Sequence, residues 1–237
     1  MKIYLQVLAL ALLLPLGAHA ANASTADEVL QRHIEALGGH EKLARIQTRV
    51  MEAKVSVGWF SAKMKSRLIR PNIYEAEATI LGQGGGSGYD GTTGWVRKGS
   101  KISVAPDKEL KRMLRGNSLD WDRKFKQFYP TRRLLPDETV DGKGVKVVEL
   151  IADNGDREIW RFDTATGLLK QLETTKQDEE NPEPVKIISN VSDYREVGGI
   201  LVAHKIAGLE GKREFSMELL SVVFNQPVAP IRFPGTK

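Results

Sequence analysis

The sequence has no cysteine and only four histidines. The first absence removes disulfides, thiolate metal ligands and the acylated cysteine of a lipoprotein leader. Beyond His19, the histidines His33, His40 and His204 lack the four-residue spacing that turns two rings toward one metal on a helix. Solvent-facing or capping roles are expected for them, with no metal and no cofactor. Long apolar runs are equally scarce. The one at the N-terminus, Ile3 to Leu16 broken by Gln6, follows Met1-Lys2 and precedes Ala18-His19-Ala20. That charged, apolar and small-residue order is a secretory leader, with cleavage expected after Ala20. The expectation is a leader over 1–20 and one domain over 21–237. No later stretch approaches the roughly 20 apolar residues of a membrane helix, so the mature chain should be released, and as a monomer.

Catalytic patterns are missing as well. The glycine-rich stretch from Gly82 to Gly88 lacks the Gly-Lys-Ser/Thr ending of a phosphate loop and follows a strand meander, so it reads as a flexible connection. Ser87 fails the Gly-x-Ser-x-Gly nucleophile pattern because Tyr89 stands where the last glycine belongs. Asp90, Asp141 and Asp163 lie in glycine-bearing turns, where aspartate serves the backbone. Without a convergent acid and base the chain reads as non-enzymatic. Between Arg97 and Arg133 there are 12 Lys/Arg against 4 Asp/Glu, while Asp178-Glu179-Glu180 and Glu183 make an acidic loop. Lys111, Arg112 and Arg115 could present a basic face to an anionic membrane surface or an acidic receptor, or could simply be a solvated helix surface. Trp121, Phe125 and Phe128 sit at helical spacing, so they pack rather than stack on bases, and export argues against nucleic acid.

What remains is pattern. Thr25 and Glu28 have capping-box spacing ahead of Val29, Leu30, Ile34 and Leu37, which predicts a helix stopped at Gly38-Gly39, with a short turn over 41–46. Alternation then predicts strands over 51–57, 60–68 and 74–80, and a further strand ending at Val96. Helices are expected over 107–115 and from Asn117 or Ser118 to Pro130. Strands return over 145–152, 158–162, 168–174, 185–191, 200–206 and 215–223, with hairpin turns at Asn154-Gly155 and Thr166-Gly167. The fold class is mostly β (α+β): a large curved antiparallel sheet or half-open β-barrel of about 10–11 strands covered by a few helices.

Several pieces, in order, resemble the periplasmic outer-membrane lipoprotein-sorting, or LolA-like, superfamily. They are Ile34-Glu35-Ala36-Leu37-Gly38-Gly39 with Glu41, Leu43 and Ile46; Arg70-Pro71-Asn72; Tyr89-Asp90-Gly91 with Trp95; Asp163 and Thr166-Gly167-Leu168-Leu169; Asp193-Tyr194-Arg195; and Asn225 with Phe233-Pro234. The resemblance implies a periplasmic half-open barrel around a hydrophobic cavity that takes acyl chains. Its expected occupant is a hydrophobic small molecule or an acylated protein. The alternative is an accessory or scaffold protein holding a partner on its concave face. The inward faces of the strands nominate Val55, Val57, Phe60, Met64, Leu68, Tyr74, Trp95, Trp160, Phe162, Phe215 and Met217 as lining. Met64 and Met217 suit a pocket for varied chains because thioethers adapt their shape.

Overall fold

The computed structural model describes residues 25–80, 83–176 and 183–235; the leader and Asp178-Glu179-Glu180 lie outside them. The first helix, α1 (Ala26–Leu37), starts as its capping box requires. Thr25 Oγ1 accepts from the Glu28 amide at 3.2 Å and Glu28 Oε2 accepts from the Thr25 amide at 2.8 Å. It buries Val29, Leu30, His33 and Ile34, each fully buried aliphatic contributing roughly 1.5–3 kcal/mol. A short helix, α2 (Gly39–Ala44), leads into β1 (Thr48–Val57), β2 (Phe60–Ile69), β3 (Ile73–Ile80), β4 (Gln83–Tyr89), β5 (Gly94–Lys98) and β6 (Lys101–Val104). Two helices follow, α3 (Asp107–Gly116) and α4 (Trp121–Phe128). The chain returns through β7 (Thr131–Val140), β8 (Lys143–Ile151), β9 (Arg157–Asp163), β10 (Leu169–Lys176), β11 (Val185–Val197), β12 (Ile200–Glu210) and β13 (Arg213–Phe224).

The strands form one antiparallel sheet in the order β6-β5-β4-β3-β2-β1-β13-β12-β11-β10-β9-β8-β7. Six strands meander out from β1 to one edge, and seven meander in from the other edge to β13, which pairs with β1 at the centre. The edges β6 and β7 do not pair, so the curved sheet is a half-open barrel. The segment α3–α4 joins those two edges.

The sheet has thirteen strands where about 10–11 were expected. The stretch over 82–88 is not a flexible connection, because from Gln83 onward it is β4, bonded to β3 and β5. Its glycines answer close approach: a Cβ on Gly86 would lie 2.5 Å from the Ala76 carbonyl oxygen, and one on Gly88 would lie 2.2 Å from the Trp95 ring. β6 is short and β7 carries Pro136 and several charges. Both are edge strands, which tolerate such composition and hide it from an alternation test.

Register assigns the two faces. Met51, Ala53, Val55 and Val57 of β1 stand opposite Val222, Leu219, Met217 and Phe215 of β13, and Phe60, Ala62 and Met64 of β2 share that side. Following the pairs across the sheet carries this inner face to Leu172 and Thr174 of β10 and to Glu158, Trp160 and Phe162 of β9. The main core lies there: Leu68, Tyr74, Val148, Leu150 and Phe162 pack with Leu30 and Ile34 of α1, Met113 of α3, and Phe125 of α4.

A candidate ligand cavity beneath two helices

α3 and α4 link the two edges, and their packing against Leu68, Tyr74 and Phe162 places them across the inner face. Between them and β9, β10 and β11 lies a cavity of about 610 Å³, within the range of ligand pockets. Trp121, Phe128 and Tyr129 line it from the helix side, and Trp160, Leu172 and Ile187 from the sheet. Trp160 meets Trp121 at 6.3 Å and Tyr129 edge-on at 6.0 Å between ring centroids.

One wall is polar. Arg112 forks onto Asp156 with bonds of 2.9 and 3.0 Å, and Arg115 reaches Asp156 at 3.2 Å and Glu158 at 3.1 Å. Glu158 Oε2 also accepts from the Tyr129 hydroxyl and from Trp160 Nε1, each at 2.8 Å. Burial alone would raise Asp156, but hydrogen bonds from Arg112, Asn154 and Arg115 outweigh it and hold the carboxyl at about 2. The Tyr129 hydroxyl is pushed well up, first by burial and then by the Glu158 charge beside it. These bonds tie α3 to the β8–β9 hairpin. At the other end Arg70 bonds Asp120 and the Ile46 and Leu43 carbonyls, while His40 bonds Asp122 at 2.7 Å, tying α4 to α2.

No family model matches the sequence, and no curated protein matches it. Solved structures do. A LolA superfamily protein from Nitrosomonas europaea superposes with a TM-score of 0.57 at 13% identity, over 87% of this chain and 96% of that one. A Vibrio parahaemolyticus domain named for outer membrane lipoprotein sorting gives 0.57 at 11% identity, over 86% and 95%. A DUF1329 family protein from Desulfovibrio piger gives 0.56 at 13% identity, over the same shares. The chain has the LolA-like fold.

Within the LolA-like fold, the residues expected to line a pocket separate. Trp160 lines the cavity. Leu68, Tyr74 and Phe162 are in the main core, each at most 2% exposed and filled around by protein. Val55, Met64 and Met217 are half-buried on the inner face, the two methionines packing on Ala53, Leu219 and Val222. Val57, exposed Phe60 and half-buried Phe215 meet at the outer end of the β1–β2 hairpin, beside the fully exposed Trp59. Trp95 is a correction. It pairs with Gly88, whose neighbours Ser87 and Tyr89 face inward, so its ring lies on the outer face under Phe233, at 5.9 Å. A single residue of offset exchanges faces, and the glycines of β4 conceal that offset from the sequence.

Arg112 and Arg115 are also not the free basic face that was expected. Arg115 is buried, Arg112 is forked onto Asp156, and Lys111 pairs with Asp153 at 3.3 Å, so the charge is spent on the β8–β9 turn. His33 is buried rather than exposed, bonded to the Gly167 carbonyl at 3.1 Å and packed on Phe162 and Trp121. Neither Asn117 nor Ser118 is the cap of α4: Asp120 holds that position, and Ser118 Oγ accepts its amide. Asp90 and Asp163 do serve their turns, accepting backbone amides from Thr92 and Thr93 and from Ala165 and Thr166.

The inward-face reading names only Trp160 of this lining and passes over the rest, Tyr129, Leu172, Ile187 and Arg49 among them, and for Arg49 the sequence does carry a sign. Carried back from Met51, the alternation of β1 puts an arginine where the next apolar residue belongs.

Proposed function

We propose that residues 21–237 are the mature form of an exported periplasmic protein that holds a hydrophobic ligand, such as an acyl chain, by burial and without catalysis. The carrying observation is the aromatic-lined cavity of about 610 Å³ between the inner face and the two helices that cross it. Each methylene buried there contributes about 0.8 kcal/mol, enough for a single chain to be held firmly. The α3–α4 cover is held along its margins largely by ion pairs and hydrogen bonds, which water can replace when it lifts. The Vibrio parahaemolyticus structure is named for outer membrane lipoprotein sorting, which is in keeping with an acylated ligand.

The test is native mass spectrometry with organic extraction of the mature protein, purified from the periplasm without detergent. A stoichiometric acyl lipid or acylated peptide is the expected result. A protein that arrives empty and also ignores a fluorescent fatty-acid probe would remove this reading and favour a partner-binding accessory role.

A further inference from the structure

Four arginines border the cavity: Arg49, Arg112, Arg115 and Arg157. Three are matched, Arg112 and Arg115 by Asp156 and Glu158 and Arg157 by Glu149 at 2.7 Å. Arg49 is not. Its Nε is buried with no hydrogen-bond partner, and its guanidinium forms no ion pair among the described residues. It stands on the inner face of β1, opposite Leu68 of β2 and Phe224 of β13, both apolar.

An arginine cannot escape such a position by losing its proton. Burial brings it down only to about 10, so it stays charged at neutral pH, and although the side chain as a whole is half-buried, a charge placed there without a partner is unfavourable. A leucine or methionine there would continue the face of Met51, Ala53 and Val55 without that cost. A cation left unmatched on a wall whose other arginines are all paired therefore calls for an anion that the chain itself does not supply. The other charged groups on the wall restrict which anion. Asp156 and Glu158 are already matched by Arg112 and Arg115, but Glu109 borders the same space and opposes a doubly charged head group. A guanidinium fork matches a carboxylate in two parallel bonds.

We infer that Arg49 anchors the carboxylate of a single-chain amphiphile, a long-chain fatty acid, whose tail lies along Trp160, Phe128 and Leu172. This rests on the hydrophobic-ligand reading above and names the polar end of that ligand. Arg49 then acts as a binding residue that orients the chain, head toward β1 and tail toward β9 and β10.

Delipidated mature protein, titrated with palmitate, hexadecanol and hexadecyl phosphate, tests it. Palmitate should bind about 10- to 100-fold more tightly than hexadecanol, and Arg49→Gln should remove that advantage while leaving hexadecanol within about threefold. The palmitate-to-hexadecanol ratio of the unaltered protein needs no variant, so the inference stays testable if Arg49→Gln folds poorly. Equal binding of acid and alcohol, or an Arg49→Gln loss shared by both, overturns the anchor and leaves the hydrophobic-ligand reading intact. Tighter, Arg49-dependent binding of the phosphate overturns the assignment to a singly charged carboxylate. If none of the three binds, both readings fall.

Discussion

Two helical pairs cover the inner face, and they hold it by different means. α1 is anchored by aliphatic burial: Leu30 and Ile34 are at most 1% exposed, and the helix packs on β7, β8 and β12. α3 and α4 add Met113 and Phe125 to the core, but their buried set also includes Arg115 and Asp122, and a cavity lies beneath them. The first pair is part of the core, while the second is a cover that shares in the core through Met113 and Phe125 and is tied at its margins by polar bonds. A fold can thus be rigid on one side of a face and separable on the other, because apolar packing has no substitute in water whereas a polar bond does.

The largest effect should come from the apolar side. Ile34→Ala, at a site that is 0% exposed, should cost about 2–5 kcal/mol in urea unfolding, with or without ligand. A loss under about 1 kcal/mol would mean that α1 is no more core than α3. Next comes the polar side. Arg115→Met leaves Glu158 without its guanidinium and should cost about 3 kcal/mol; if the variant is as stable as the parent, the polar ties do not secure the cover.

The third prediction concerns the seam between the pairs, where His33 of α1 touches Trp121 of α4. Burial, partly offset by the Gly167 carbonyl, lowers His33 from 6.5 to about 4. Its folded form therefore binds a proton less readily than the unfolded chain. The contribution is complete above pH 6.5, is lost progressively as pH falls toward 4, and amounts to at most about 3 kcal/mol. His33→Gln should flatten that part of a stability-against-pH curve. An unchanged slope would place the acid sensitivity elsewhere.

Much of the architecture was legible because it depends on nearest neighbours along the chain. The Thr25–Glu28 box, the Asn154-Gly155 turn and the alternation of β1 to β3 each specify local geometry, and the structure contains them all. What escaped depends on neighbours across the sheet. β4 is invisible because its glycines are chosen by Trp95 and Ala76 on adjacent strands. Trp95 was assigned to the wrong face for the same reason. Arg112 and Arg115 read as free charges because Asp156 and Glu158, their partners, lie more than forty residues away in sequence. Arg49 was within reach, two residues before the strand as it was read, but its meaning depends on the absence of a partner, which only the assembled sheet reveals.

The path of the chain has one more effect. Since α3 and α4 run from edge strand β6 to edge strand β7, the sheet is a bow and the helices are its string. The length of that string limits how far the two limbs can spread. Drawing it in would close the space beneath it, and paying it out would flatten the bow. The capacity of the cavity is thus set as much by the span of one connecting segment as by the side chains that line it.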